Sequence, residues 1–397
     1  MNFQKIRLKN GIILLHESRP LPVVSLSITN PFGAVYEEEK IKGIAHFMEH
    51  LVFTGTKTRT HEDISREIEK KGGILNAFTS HDMTSFWCKL PSKHIFTPLE
   101  IFTDMLTNPL FDEKKFEKEK KVILEEIKMY HDMPMRHIHD KIEANLYEEP
   151  FGASIIGSKE TVSSIGRDFA FDYFKKVYDP SRFIVTVVGK ANPKEIVSYL
   201  EQNFKPSKFI LKVQEIKKHN KETVEERHGI DQAHFIFAFH APLAAEKNHA
   251  NLEVLDAYLA NGMSSRLFLE IREKRGLAYA VKSSLETEKN FSYYTIYVGT
   301  TKSALSEVKK LILKEFENVR HMTETELKEA KERLIGLYKV SSEESSDVMN
   351  ELMLHELTTK AEDYYEYEKN IGAVKLEDVK RIAEIKEYST AAIVPKD

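Results

Sequence analysis

The chain has 397 residues, 41% of them hydrophobic and 30% charged, and a formal net charge of −4. That length is more than one ordinary core accommodates and predicts two domains, while the nearly balanced charge gives no basis for binding nucleic acid or an anionic membrane. The single cysteine, Cys88, excludes an internal disulfide, and neither a signal-peptide h-region nor an apolar run of membrane-spanning length is found, so the expected location is the cytoplasm.

In chain order, residues 5–16 read as two short strands around Asn10-Gly11, and 23–30 as a third strand. Pro31-Phe32-Gly33 breaks that strand, and residues 37–42 form a charged loop. Gly43 precedes a helix running to about Phe53, whose centre is His46-Phe47-Met48-Glu49-His50. Two histidines four residues apart lie on one helical face, one turn apart, a spacing that lets two imidazole nitrogens converge on one zinc ion. Glu49 sits beside them, where a carboxylate takes a proton from a metal-activated water. This H-x-x-E-H order is the inverted zincin signature.

Thr60-His61-Glu62-Asp63 starts a helix that Gly72-Gly73 ends, and residues 74–90 alternate around Ser80-His81-Asp82 as a hairpin. Helices follow at 94–106 and 113–130, closed by Asp132-Met133-Pro134, then at 136–146 and 162–177, with a strand at 183–188. Residues 206–226, rich in Lys and Glu, read as a linker between domain 1–205 and domain 227–397. The second half repeats strands followed by helices: strands at 234–239, 291–298 and 391–394, and helices at 248–260, 265–275, 303–318 and 324–340. That shared order predicts an internal duplication.

A zinc site with two histidines needs a third protein ligand. On the helix 113–130, Val122, Ile123, Ile127 and Tyr130 mark the apolar side, and Glu119, Ile123, Glu126 and Tyr130 follow at spacings of four, three and four along one stripe. Glu126 therefore faces inward as the candidate ligand with Glu119 behind it, and Glu125, turned by about 100°, faces solvent. His131, His137 and His139 have no comparable spacing and read as surface or loop residues, and His81 is unassigned.

The motif, with a glutamate 76 residues after its second histidine, resembles the pitrilysin/insulinase family of inverted zincins, nearest to the chains of about 400 residues similar to the β subunit of mitochondrial processing peptidase. Gly72-Gly73-Ile74-Leu75-Asn76-Ala77-Phe78-Thr79-Ser80 is similar to that family's active-site edge strand, and Met263 to Phe268 and Arg272 to Tyr279 match it again in the second half. The resemblance implies Zn²⁺ held by His46, His50 and Glu126, with Glu119 supporting them and Glu49 as general base. It implies substrate backbone bound at Asn76, Ala77 and Phe78, with Arg272 orienting the peptide and Tyr279 stabilising the oxyanion.

The fold expected from the resemblance is α+β, with two half-units per chain, each a mostly antiparallel sheet packed on helices, closing as a clamshell on dimerisation. The function expected is zinc-dependent hydrolysis of small or unfolded peptides in a closed chamber, with no nucleic-acid or membrane partner. In heterodimeric relatives the zinc motif and the Arg/Tyr pair sit on different chains. This chain carries both, which favours a homodimer over pairing with a related chain. The alternative is a non-catalytic scaffold or assembly subunit, as in relatives of respiratory complexes that keep the fold but lack a full ligand set.

Overall fold

The computed structural model describes residues 2–205 and 209–396. The backbone divides into two compact units, each built on one sheet. The first takes the chain through Lys128, then Ser154–Glu215 and Ser341–Tyr364; the second takes Met129–Ala153, Ile216–Val340 and the chain from Tyr365 onward.

The sheet of the first unit contains β1 (Phe3–Arg7), β2 (Ile13–Ser18), β3 (Val23–Asn30), β4 (Ile74–Thr79), β5 (Thr84–Pro91) and β6 (Ile184–Gly189), in the order β1-β2-β6-β3-β5-β4. Only the β2/β6 pair is parallel. The central strands β3 and β6 are buried almost end to end, β6 as a largely apolar run and β3 with its apolar residues alternating with buried Ser25, Ser27 and Thr29. β4 is an edge strand, in register with β5 so that Asn76 opposes Trp87 and Ala77 opposes Phe86.

Helices α1 (Ile44–Phe53), α2 (His61–Glu69), α3 (Phe96–Thr107) and α4 (Glu113–Asp132) follow the early strands. The Thr60 hydroxyl accepts from the Asp63 N–H while the Asp63 carboxylate accepts from the Thr60 N–H, the capping box expected at the start of α2. Phe47 of α1 and Phe116 of α4 pack with ring centroids 4.8 Å apart, in a core that also takes Leu51, Phe86, Phe102 and Ile123.

The second unit contains α5 (Pro134–Leu146) and a sheet of β7 (Glu222–Arg227), β8 (Ala233–His240), β9 (Ala278–Thr287), β10 (Ser292–Thr300) and β11 (Ser389–Pro395), ordered β7-β11-β8-β10-β9. Its one parallel pair is β7/β11. This order repeats β2-β6-β3-β5-β4 of the first unit, with the parallel pair in the same place. The expected fold class, two mostly antiparallel sheets packed on helices, is the one observed.

The expected domain boundaries are corrected by an exchange of helices. α5 belongs to the second unit although it lies before residue 205. Its buried Ile138, Ile142 and Leu146 cover that unit's sheet, and the side-chain amide of Asn145 donates to the Thr390 carbonyl at 2.9 Å. The helix Ser345–Thr358 belongs to the first unit: Ser345 and Ser25 share a hydroxyl contact of 2.9 Å, and the Thr29 hydroxyl donates to Sδ of Met353 at 2.7 Å. In each case the apolar face of the helix finds its sheet in the other half of the sequence.

The stretch 206–226 is not a simple linker either. Residues 206–208 lie outside the described residues, the Gln214 N–H donates to the Val35 carbonyl, and β7 begins at Glu222. The sequence reading does not anticipate the helices Pro193–Asn203, Ser345–Thr358, Tyr367–Gly372 and Leu376–Ile382, or the strands β7 and β9. None of the described helices is long and apolar enough to cross a membrane.

Candidate metal centre

α1 is apolar on several sides and buries Ile44, Ala45, Phe47, Met48, Leu51 and Val52, so the face bearing its histidines is only partly open, with His46 buried and Glu49 and His50 half-buried. His46 is 8% exposed, and its ring centroid lies 4.7 Å from that of His50. Phe116 and Ile123 anchor α4 in the same core, and that anchoring turns Glu119 and Glu126 towards the histidines. Oε2 of Glu126 lies 3.7 Å from Nε2 of His46 and 3.6 Å from Nε2 of His50, while Oε2 of Glu119 lies 3.5 Å from Nδ1 of His50.

The two Glu126 separations are longer than good hydrogen bonds. They match instead the spacing of roughly 3.4 Å between neighbouring ligand atoms bound about 2.0–2.1 Å from a tetrahedral zinc. The donor atoms of His46, His50 and Glu126 all lie within 4.8 Å of one another. Glu125 projects away, with a side chain 72% exposed and paired to Lys128 at 2.6 Å. Val122, expected on the apolar side, is corrected: it is exposed, because the buried stripe of α4 is as narrow as Phe116 and Ile123.

The charges around this group favour a cation. Burial, with His50 adding to it, pushes the pKa of His46 down to about 3, so the ring is neutral and offers a lone pair. Burial also lowers His50, but the contact with Glu119 and the charges of Glu49, Glu126 and Glu119 outweigh it and leave the pKa raised. Burial raises Glu49, opposed by the hydrogen bond from Thr79 and by His50. Three carboxylates around two imidazoles are short of positive charge, which a divalent metal would supply. The residues fit zinc on donor type, spacing and charge.

Glu49 is held from the edge strand: the Thr79 hydroxyl donates to its Oε2 at 2.5 Å. Thr79 lies inside the stretch singled out above, but no sequence spacing connects it to a glutamate 30 residues away. Asn76, Ala77 and Phe78 lie on the same strand, and the Asn76 side chain accepts from the Ala77 N–H at 2.8 Å.

Arg272 and Tyr279 lie in the second unit. Arg272 is on a π-helical turn, Phe268–Glu273, where an α-helix was expected, and its guanidinium stacks 4.8 Å from the Phe268 ring centroid. Tyr279, 43% exposed on β9, has its hydroxyl 3.2 Å from that of Tyr297, which in turn lies 2.8 Å from Nδ1 of His234. The Tyr279 ring rests on Gly299, where a Cβ would fall 2.3 Å from the ring.

His131, His137 and Glu225 form a second group of possible ligands in the second unit. Here Glu225 is already matched, bonded by Arg227 at 2.6 Å and paired with Lys141 at 3.0 Å. Burial would raise its carboxyl pKa, but those cations hold it at about 2. The group is an ion-pair cluster whose charge is balanced without a metal.

Two family models match the chain. One, described as insulinase (peptidase family M16), covers residues 12–159, and the other, described as the peptidase M16 inactive domain, covers residues 164–334. A Bacillus subtilis protein described as an uncharacterized zinc protease is 31% identical over 401 residues, spanning 98% of this chain and 97% of its own. A Rickettsia felis protein, also described as an uncharacterized zinc protease, is 32% identical over 81% of this chain and 79% of its own. Among solved structures, a protease from Helicobacter pylori superposes with a TM-score of 0.91 at 21% identity over 99% of both chains, a likeness of fold. The residues of the candidate metal centre fall in the first matched region, and Arg272 and Tyr279 fall in the second.

Proposed function

The chain belongs to the insulinase family of peptidases, and from that membership we propose that it is a zinc metalloendopeptidase acting on small or unfolded peptides. The observation that carries the proposal is the convergence of His46, His50 and Glu126 within 4.8 Å, with Glu49 on the same helix. A protein that had kept only the fold would have no selection to hold three candidate ligands and a half-buried carboxylate in this arrangement, which argues against the scaffold reading.

His46, His50 and Glu126 would hold the metal, and Glu119 would orient His50 through Nδ1. Zinc bound there would act as a Lewis acid towards the scissile carbonyl and make water more acidic. Glu49 would take the proton of the attacking water and return it to the leaving amine. β4 has an open edge, so an extended peptide would add to it as a further strand beside Asn76, Ala77 and Phe78. Pairing of that kind requires an unfolded backbone, which sets the substrate class. Arg272 and Tyr279 would contribute to peptide binding.

The working form we propose is a homodimer enclosing the reaction in a chamber, supported by the presence of both residue sets in one chain. Incubation of the purified chain with a mixed peptide library, followed by mass spectrometry, tests the activity. Cleavage should stop when a chelator removes the metal and return with added zinc. Cleavage unaffected by complete metal removal would overturn the proposal.

A further inference from the structure

α1 starts without a capping side chain of its own. Its N-cap is Gly43, at φ 94°, and a Cβ there would fall 2.7 Å from the carbonyl oxygen of Ile156. The Ser, Asp or Asn that usually meets the first-turn N–H groups therefore has no room. Glu37, six residues upstream, meets them instead. Its Oε2 accepts from the Gly43 N–H at 3.0 Å, and its Oε1 accepts from the Ala45 N–H at 2.7 Å.

Glu37 is fully buried, and so, nearly, is Lys42, whose ammonium lies 3.8 Å from Oε2 and donates to the Ala34 carbonyl at 3.2 Å. A carboxylate removed from water is costly. Here two N–H donors at the positive end of a helix and a neighbouring cation offset that cost. The segment reads as a solvated charged loop, yet its first and last residues, Glu37 and Lys42, lie in the interior.

The residue that Glu37 grips, Ala45, directly precedes His46, and His50 follows one turn later. The grip fixes both the axial position and the phase at which the two imidazoles leave the helix. Tight metal binding requires ligand atoms held to within about half an ångström of their working places. We propose that Glu37, braced by Lys42, is a positioning residue for the metal centre: it sets where α1 presents His46 and His50 to Glu126. The inference rests on the zinc reading above.

The test is zinc affinity of the full chain, measured by competition with a chromophoric chelator, together with the visible spectrum of the Co²⁺-substituted protein, for wild type, Glu37→Gln, Glu37→Asp and Leu99→Ala. Leu99 is buried in the same core on α3 and serves as a destabilising control. Glu37→Gln should weaken zinc binding by about tenfold or more, as loss of a supporting group does, and should change the Co²⁺ bands. Leu99→Ala should lower the Tm while keeping wild-type affinity and spectrum. If Glu37→Gln does not fold, Glu37→Asp, shorter by one methylene, is held to the same criterion. Folded Glu37 variants with wild-type affinity and spectrum would overturn the role of Glu37 alone. An affinity loss shared equally by Leu99→Ala would do the same. Wild-type protein that binds no zinc would overturn the metal reading and this inference with it.

Discussion

The hydroxyl of Thr79 donates to Oε2 of Glu49 across 2.5 Å, tying edge strand β4 to the middle of α1. Residues 76–78, expected to meet the peptide backbone, thus share a strand with the residue that orients the expected base. A hydrogen bond to a charged group contributes about 1.5–3 kcal/mol. Thr79→Ala should therefore lower kcat by roughly tenfold or more with little change in KM or in bound zinc. Thr79→Ser, which keeps the hydroxyl, should restore most of the rate. Steady-state kinetics on one peptide decides it: a loss confined to KM would show that Thr79 serves binding rather than Glu49.

Gly299 leaves room for the Tyr279 ring at a distance no side chain permits. Its role is close approach, since an added Cβ would overlap the ring and push it off β10. Gly299→Ala should raise KM for peptides several-fold and leave zinc content unchanged. Tyr279→Ala should behave alike, and the double variant should be no worse than either single one. Additive losses would show that Gly299 acts on something other than Tyr279.

The helix Ser345–Thr358 completes the first unit from the far end of the chain. Met353, with no exposed surface, accepts the Thr29 hydroxyl there. Met353→Ala should destabilise that unit by about 2–5 kcal/mol. Amide hydrogen exchange should locate the loss in β3 and β6, with β8 and β10 retaining their protection. Loss of protection in β8 and β10 alone would contradict the exchange of helices.

Cys88 is buried on β5, and burial pushes its thiol up to about 12. A thiol without thiolate character and without access does not react. In the native protein Cys88 should resist a thiol-specific reagent at neutral pH and react stoichiometrically once the chain is unfolded in guanidinium. Rapid labelling under native conditions would place β5 outside the core.

The three residues that converge at the candidate metal centre are legible in the sequence because each is fixed by the geometry of a single helix. His46 and His50 share a face by spacing alone, and Glu126 is marked by its place on the stripe of Ile123. What was not legible depends on contacts between distant segments. Thr79 reaches Glu49 only because β4 packs near α1, and Glu37 is buried only because the turn before α1 folds back under it. Residues 222–226 of β7 read as linker because Glu222, Glu225 and Glu226 give them the composition of a solvated segment, yet β7 is an edge strand, where charged side chains are normal. The two domain boundaries missed their mark because α5 and the helix Ser345–Thr358 follow their apolar faces to a sheet in the other half, which chain order does not reveal.

The central claim is that Glu49 is the base of a zinc peptidase, and the most direct measurement is the turnover of one unstructured peptide by Glu49→Gln with its metal content determined on the same sample. The amide keeps the size and the contact with Thr79 but cannot accept the proton. The account predicts one zinc per chain, as in wild type, and kcat/KM reduced by at least about a hundredfold. A zinc-loaded Glu49→Gln that cleaves the peptide as fast as wild type would contradict it.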